Sequence, residues 1–167
     1  MKRAIVLLAL SVILALVVAA PSVLARSDNG KAPEELSADF TVEAGDPGGS
    51  CDFPIRLQVN GKGKTITLPD GRRIITSPGL FATVTNQVNG KQATFNISGT
   101  FHETTNPVNG DVTTKITGRN LLSDPDAGYV LLSGNFSFVF DKNGNLIQSF
   151  EDTNGNGQVI DVCALLS

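Results

Sequence analysis

Apolar and polar residues alternate with a period of two through most of the chain beyond residue 50, the pattern of strands with one buried and one solvated face. Phe53, Ile55, Leu57 and Val59 alternate with Arg56 and Gln58; Leu80, Ala82 and Val84 alternate with Phe81, Thr83 and Thr85. Ala93, Phe95, Ile97, Gly99 and Phe101 oppose Thr94, Asn96, Ser98, Thr100 and His102, and Val112, Thr114, Ile116 and Gly118 oppose Thr113, Lys115, Thr117 and Arg119. The longest run, Tyr129 to Phe140, places Val130, Leu132, Gly134, Phe136, Phe138 and Phe140 in one phase. Lys64 to Leu68, Arg73 to Ser77, Asn145 to Phe150 and Gln158 to Cys163 complete the set. No segment beyond the first 25 residues carries a 3.6-residue apolar period, so the chain reads as all-β.

Turn chemistry separates these runs. Asn-Gly pairs stand at Asn60-Gly61, Asn89-Gly90, Asn109-Gly110 and Asn143-Gly144, and Asp70-Gly71 is their equivalent; such pairs favour tight hairpins. Gly99, Gly118 and Gly134 share the phase of the apolar face on three successive strands, where glycine marks sharp curvature or close backbone approach. These signals predict an antiparallel meander of about eight to nine strands, bent into a small up-and-down β-barrel closed by a disulfide, with a β-sandwich as the alternative.

The N-terminal end has a different composition. Lys2 and Arg3 precede the uncharged stretch Ala4 to Ala20, then Pro21 and Val23-Leu24-Ala25, the pattern of a secretory signal peptide spanning residues 1–25. Residues 26–50 are rich in Asp, Glu, Gly, Ser and Pro and read as a flexible leader, with an edge strand around Asp39 to Glu43 as the alternative. A single β domain then occupies residues 51–167. Removing residues 1–25 takes two of the 13 basic residues and none of the 16 acidic ones, leaving 11 − 16 = −5. That charge disfavours nucleic acid or an anionic membrane as partner, and no membrane insertion is expected after cleavage. In an exported chain the two cysteines, Cys51 and Cys163, most simply form one disulfide joining the two ends of the domain.

Candidate chemistry is sparse. Glu103, beside the only histidine, His102, is a candidate acid or base at a strand end, although alternation sends the two side chains to opposite faces. Arg119, Asn120 and Tyr129 flank the connection 123–128 and are candidate binding residues. Asp152, Asn154 and Asn156 begin a calcium-loop pattern that lacks its closing carboxylate, because Cys163 stands at position twelve; Asp141 to Asn145 has a similar start. The Ser- and Thr-rich outer strand faces suggest ice or polysaccharide binding but lack the constant repeat period that a flat periodic ligand requires, and β-propensity on a solvated face accounts for them. No cofactor is expected.

The segments Cys51-Asp52-Phe53-Pro54, Gly118-Arg119-Asn120-Leu121-Leu122, Gly134-Asn135-Phe136, Gly144-Asn145-Leu146 and Asp161-Val162-Cys163-Ala164-Leu165 resemble those of small secreted proteins of unassigned function in high-GC Gram-positive bacteria. The resemblance implies a secreted, extracellular β-protein with paired N- and C-terminal cysteines, and carries no catalytic residue across. In outline the architecture is similar to lipocalin-like and allene oxide cyclase or dirigent barrels, a likeness of fold alone. The favoured function is a non-enzymatic secreted module that binds a small molecule, a glycan or an extracellular protein partner at a barrel end. The alternative is a barrel-type cyclase or isomerase, or a lipophilic carrier, with an apolar internal cavity.

Overall fold

The computed structural model describes residues 31–46, 51–124, 128–150 and 155–167. Residues 1–25, read above as a signal peptide, lie outside them. Ten strands follow one another: β1 (Glu34–Val42), β2 (Ile55–Thr67), β3 (Arg73–Thr76), β4 (Phe81–Asn86), β5 (Gln92–Asn96), β6 (Gly99–Thr105), β7 (Val112–Asp124), β8 (Gly128–Phe140), β9 (Leu146–Gln148) and β10 (Asn156–Asp161), and a one-turn helix α1 (Val162–Leu166) ends the chain. All pairings are antiparallel, in the lateral order β10-β8-β7-β6-β3-β2-β4-β5, with β1 added to β2 and β9 to β8.

The leader contributes β1. Leu36, Ala38, Phe40 and Val42 alternate with polar residues, and the strand pairs with β2 from Glu34↔Gly63 to Val42↔Ile55. Phe40 and Val42 pack against the main core, which offsets the entropy of ordering this otherwise polar segment. The edge-strand alternative therefore holds, over a longer span than Asp39 to Glu43.

Asn60-Gly61 is not a hairpin turn. β2 runs through it, and Gly61 takes φ 146° where the strand passes the β3–β4 corner. The other loops use glycine differently from a two-residue type I′ turn, because no residue except glycine has positive φ among the described residues. In Asn86–Lys91, Gly90 N donates to Asn86 O, and Asn86 Oδ1 accepts from Val88 N. Asn106–Asp111 repeats both bonds with Gly110 and Val108. These are four-residue loops built around a type I turn with glycine taking the left-handed position.

The expected row of glycines exists and is longer than the sequence suggested. Gly99 pairs with Gly118, Gly118 with Gly134, and Gly134 with Gly157, across β6, β7, β8 and β10. A methyl group on Gly134 would lie 2.2 Å from Asn156 O, and one on Gly118 2.8 Å from Ser98 O. Beyond this row the strands part into two leaves. β1, β2, β4 and β5 form one, and the far halves of β7 and β8 with β10 form the other. The two face each other across a core of Ile55, Leu57, Val84, Phe95, Leu121, Tyr129 and Leu131, closed at the open end by Val162 and Leu166 of α1.

The sheet is thus bent as expected but not closed into a barrel. Closure needs the outermost strands to share a ladder. Here the last strand pairs with β8, and the side chains between the leaves fill the gap instead. The disulfide Cys51–Cys163 spans from the start of β2 to α1, so it fastens leaf to leaf and not edge to edge. The first half of β8 is consequently buried on both faces: Tyr129 and Leu131 enter the inter-leaf core, while Val130 and Leu132, with Phe136 and Phe138 further along, join Ile116, Leu122 and Phe150 on the other side. Phe136 and Phe138 each meet the Phe150 ring in an edge-on contact, at 5.9 Å between centroids.

Candidate functional site: an open polar sheet face

Alternation in the first leaf sends every second side chain into the core and the remainder outward, and the strand register then fixes which outward residues are neighbours. Three lateral rows result. Thr41, Arg56, Thr85 and Gln92 form the first, Asp39, Gln58, Thr83 and Thr94 the second, and Ser37, Asn60, Phe81 and Asn96 the third. Each of these residues is exposed or half-buried, whereas the alternate residues Ile55, Leu57, Ala82 and Val84 are buried. Nine of the twelve, all except Asp39, Arg56 and Phe81, are uncharged hydroxyl or amide residues.

The rows hold themselves in place. Arg56 donates from Nε and Nη2 to the two oxygens of Asp39, at 2.8 and 2.6 Å, and Gln58 Nε2 reaches Asp39 Oδ2 at 3.1 Å. The Arg56 guanidinium, aided by Gln58, holds the Asp39 carboxyl below the usual carboxylate range. Ser37 Oγ donates to Asn60 Oδ1 at 3.2 Å, Thr83 and Thr94 hydroxyls meet at 2.8 Å, and Gln87 Nε2 reaches Thr41 Oγ1 at 2.9 Å. Amides and hydroxyls restrained by lateral bonds lose less entropy when they bind a ligand. Phe81 stands among them 46% exposed, an aromatic ring flanked in its row by Asn60 and Asn96.

Past the bend β2 alone carries this face on, and β3, β6, β7 and β8 extend it. One row runs Lys64, Thr76, Thr100, Thr117, Asn135, and the next Ile66, Ile74, His102, Lys115, Ser137. Neither row contains a fully buried residue.

The residues singled out in the sequence do not assemble into a catalytic group. His102 lies on this polar face opposite Lys115, while Glu103 points to the other face, where Arg73 Nη1 approaches its carboxylate at 3.2 Å. Arg119 is exposed at the bend. Asn120, 3% exposed, lies over Gly99 and donates to Thr117 O at 3.2 Å. Tyr129 faces the inter-leaf core, where burial, with the Asp46 carboxylate adding to it, pushes its hydroxyl up to about 12. These three are separate pieces of scaffold.

Of the calcium pattern, Asp152 and Asn154 lie outside the described residues, and Asn156 pairs with Asn135 in β10. The similar start at Asp141 is a self-contained turn. Its carboxylate accepts from the backbone N–H groups of Asn143 and Asn145 and from both side-chain amides, and these bonds, those of Asn145 foremost, hold it below the usual carboxylate range. Among the described residues no three His, Cys, Asp or Glu side chains gather as a metal set. No helix among them is long and apolar enough to cross a membrane.

No family model, curated protein or solved structure matches the chain. The signal that could have located the site was the outward phase of Phe81 beside the buried Ala82; what the sequence could not supply was the lateral register that surrounds that ring with amides.

Proposed function

We propose that this protein is an extracellular, non-enzymatic module that binds a glycan on the open polar face of β1, β2, β4 and β5. The observation that carries the reading is the row Ser37–Asn60–Phe81–Asn96 with its two neighbouring rows. Sugars present vicinal hydroxyls, which pair with amide and hydroxyl side chains, and C–H faces, which rest on aromatic rings. A ring exposed among fixed amides serves both needs. An open sheet face suits an extended chain better than a small molecule, which favours concave sites. The enzyme alternative is disfavoured by Glu103, the candidate base, being turned away from His102 and engaged by Arg73.

The test is retention on insoluble polysaccharides. Wild-type protein and Phe81→Ala are mixed with cellulose, chitin, xylan and peptidoglycan, and the unbound fraction is measured. The expected result is depletion by at least one of them, weakened on the order of tenfold in Phe81→Ala, the loss expected for one stacked ring. Absence of depletion on all four, or retention indifferent to Phe81, overturns the reading.

A further inference from the structure

We infer that the half of the polar face beyond the bend carries an anion site, formed by His102 and Lys115 within a frame of threonines, and that the glycan bound here bears acidic groups. This rests on the glycan reading above. His102 and Lys115 are directly paired across β6 and β7, and the pairs on either side are Thr100 with Thr117 and Thr104 with Thr113. Strand alternation puts all six side chains on one face. Cross-strand neighbours stand about 5 Å apart and next-but-one residues about 7 Å apart, so the six side chains form a strip about 5 Å wide and about 14 Å long, with the His102–Lys115 pair at its centre where one sulfate, phosphate or carboxylate group fits and threonine hydroxyls on either side to meet the atoms flanking that group.

The charge distribution supports the assignment. The stretches 73–76, 99–105, 112–119 and 133–140 contain a single acidic residue, Glu103. That residue points to the opposite face and pairs with Arg73. His102 and Lys115 are both exposed, and among the described residues no acidic side chain neutralises them. In a chain of net charge −3, a local basic group without a counter-ion is complementary to an anionic partner and to few other things. The first leaf differs, because its Arg56 is already neutralised by Asp39. An acidic polysaccharide lying along the face would rest an uncharged residue on Phe81 and place a charged one over His102 and Lys115.

The test uses three polymers of one backbone: dextran, carboxymethyl dextran and dextran sulfate. Affinity electrophoresis measures retardation of wild type, Lys115→Glu, His102→Ala and Phe81→Ala, and thermal melting checks that each exposed-site variant remains folded. The expected result is stronger retardation by one charged polymer than by dextran, with that excess reduced on the order of tenfold in Lys115→Glu, as a charge-assisted contact requires, and reduced in His102→Ala. Preference for the sulfated over the carboxymethylated polymer would identify a tetrahedral anion, and the reverse a carboxylate. Equal retardation by all three polymers, or an excess untouched by Lys115→Glu, overturns the anion site. The polar-face reading fails separately, if Phe81→Ala changes nothing on any polysaccharide.

Discussion

Replacing Gly134 by alanine tests the claim that the glycine row lets β7, β8 and β10 lift away as a second leaf. Two costs are readable from the structure. At φ +141° an L side chain is strained, on the order of 1–3 kcal/mol. The new methyl carbon would also lie 2.2 Å from Asn156 O and 2.5 Å from Gly157 Cα, both backbone atoms, so β10 must shift and loosen part of its ladder, at about 1 kcal/mol for each hydrogen bond lost. Together these give a destabilisation of about 4 kcal/mol, a large share of the roughly 5–15 kcal/mol typical of a domain. Two controls separate the costs. Gly71 has φ +84° with nothing within 4 Å of a methyl, so Gly71→Ala reports strain alone, about 1–2 kcal/mol. Gly63 meets only the end of the Leu36 side chain, which can rotate away, so Gly63→Ala is expected to cost less than about 1 kcal/mol. Urea titration followed by far-ultraviolet circular dichroism measures all three. A Gly134→Ala loss no larger than that of Gly71→Ala would refute the close-approach argument.

The remaining predictions concern the clamps and the core. Reducing Cys51–Cys163, which are 112 residues apart, removes about 5 kcal/mol on the loop-entropy model; denaturation with and without reductant checks it, and a shift below about 1 kcal/mol contradicts the leaf-to-leaf clamp. Asn86 is 2% exposed, donates to Leu166 O at 3.0 Å and accepts from Val88 N at 2.8 Å, so Asn86→Ala should cost about 2–3 kcal/mol in a urea titration by leaving buried partners unpaired. Tyr129 is the only tyrosine and there is no tryptophan, so phenolate absorbance reads it alone. Its native pKa is raised to about 12 from about 10 in the unfolded chain, so its contribution to stability is intact below pH ~10 and falls by about 3 kcal/mol in total as pH rises through 12. A native midpoint near the unfolded value would show that the hydroxyl is not buried.

Strand periodicity made the all-β class legible, and the shared phase of Gly99, Gly118 and Gly134 made the bend legible. The direction of that bend was not. Alternation marks both Leu131 and Leu132 as strand residues, but only the three-dimensional crossing of the leaves buries both. Glu34 to Val42 was obscured by composition, since its polar residues match a solvated leader and only Leu36, Phe40 and Val42 hint at an inner face. Asn60-Gly61 misled because turn chemistry and a strand bend ask the same freedom of glycine. The helix Val162–Leu166, capped by Asp161 accepting from Ala164 N at 2.8 Å, is too short to display a 3.6-residue period. At the candidate site, His102 and Phe81 were visible in the outward phase, whereas their neighbours Lys115, Asn60 and Asn96 belong to other strands and are brought in by register.

The most direct test of the central claim is a two-dimensional amide NMR titration with an oligosaccharide cut from the polysaccharide that retains the protein most strongly. The account predicts shifts concentrated at Asn60, Phe81, Thr83, Thr94 and Asn96, extending to His102 and Lys115 when the sugar is acidic, with Leu131 and Tyr129 unmoved. Shifts centred on β9, β10 or the inter-leaf core, with the polar rows silent, would contradict it.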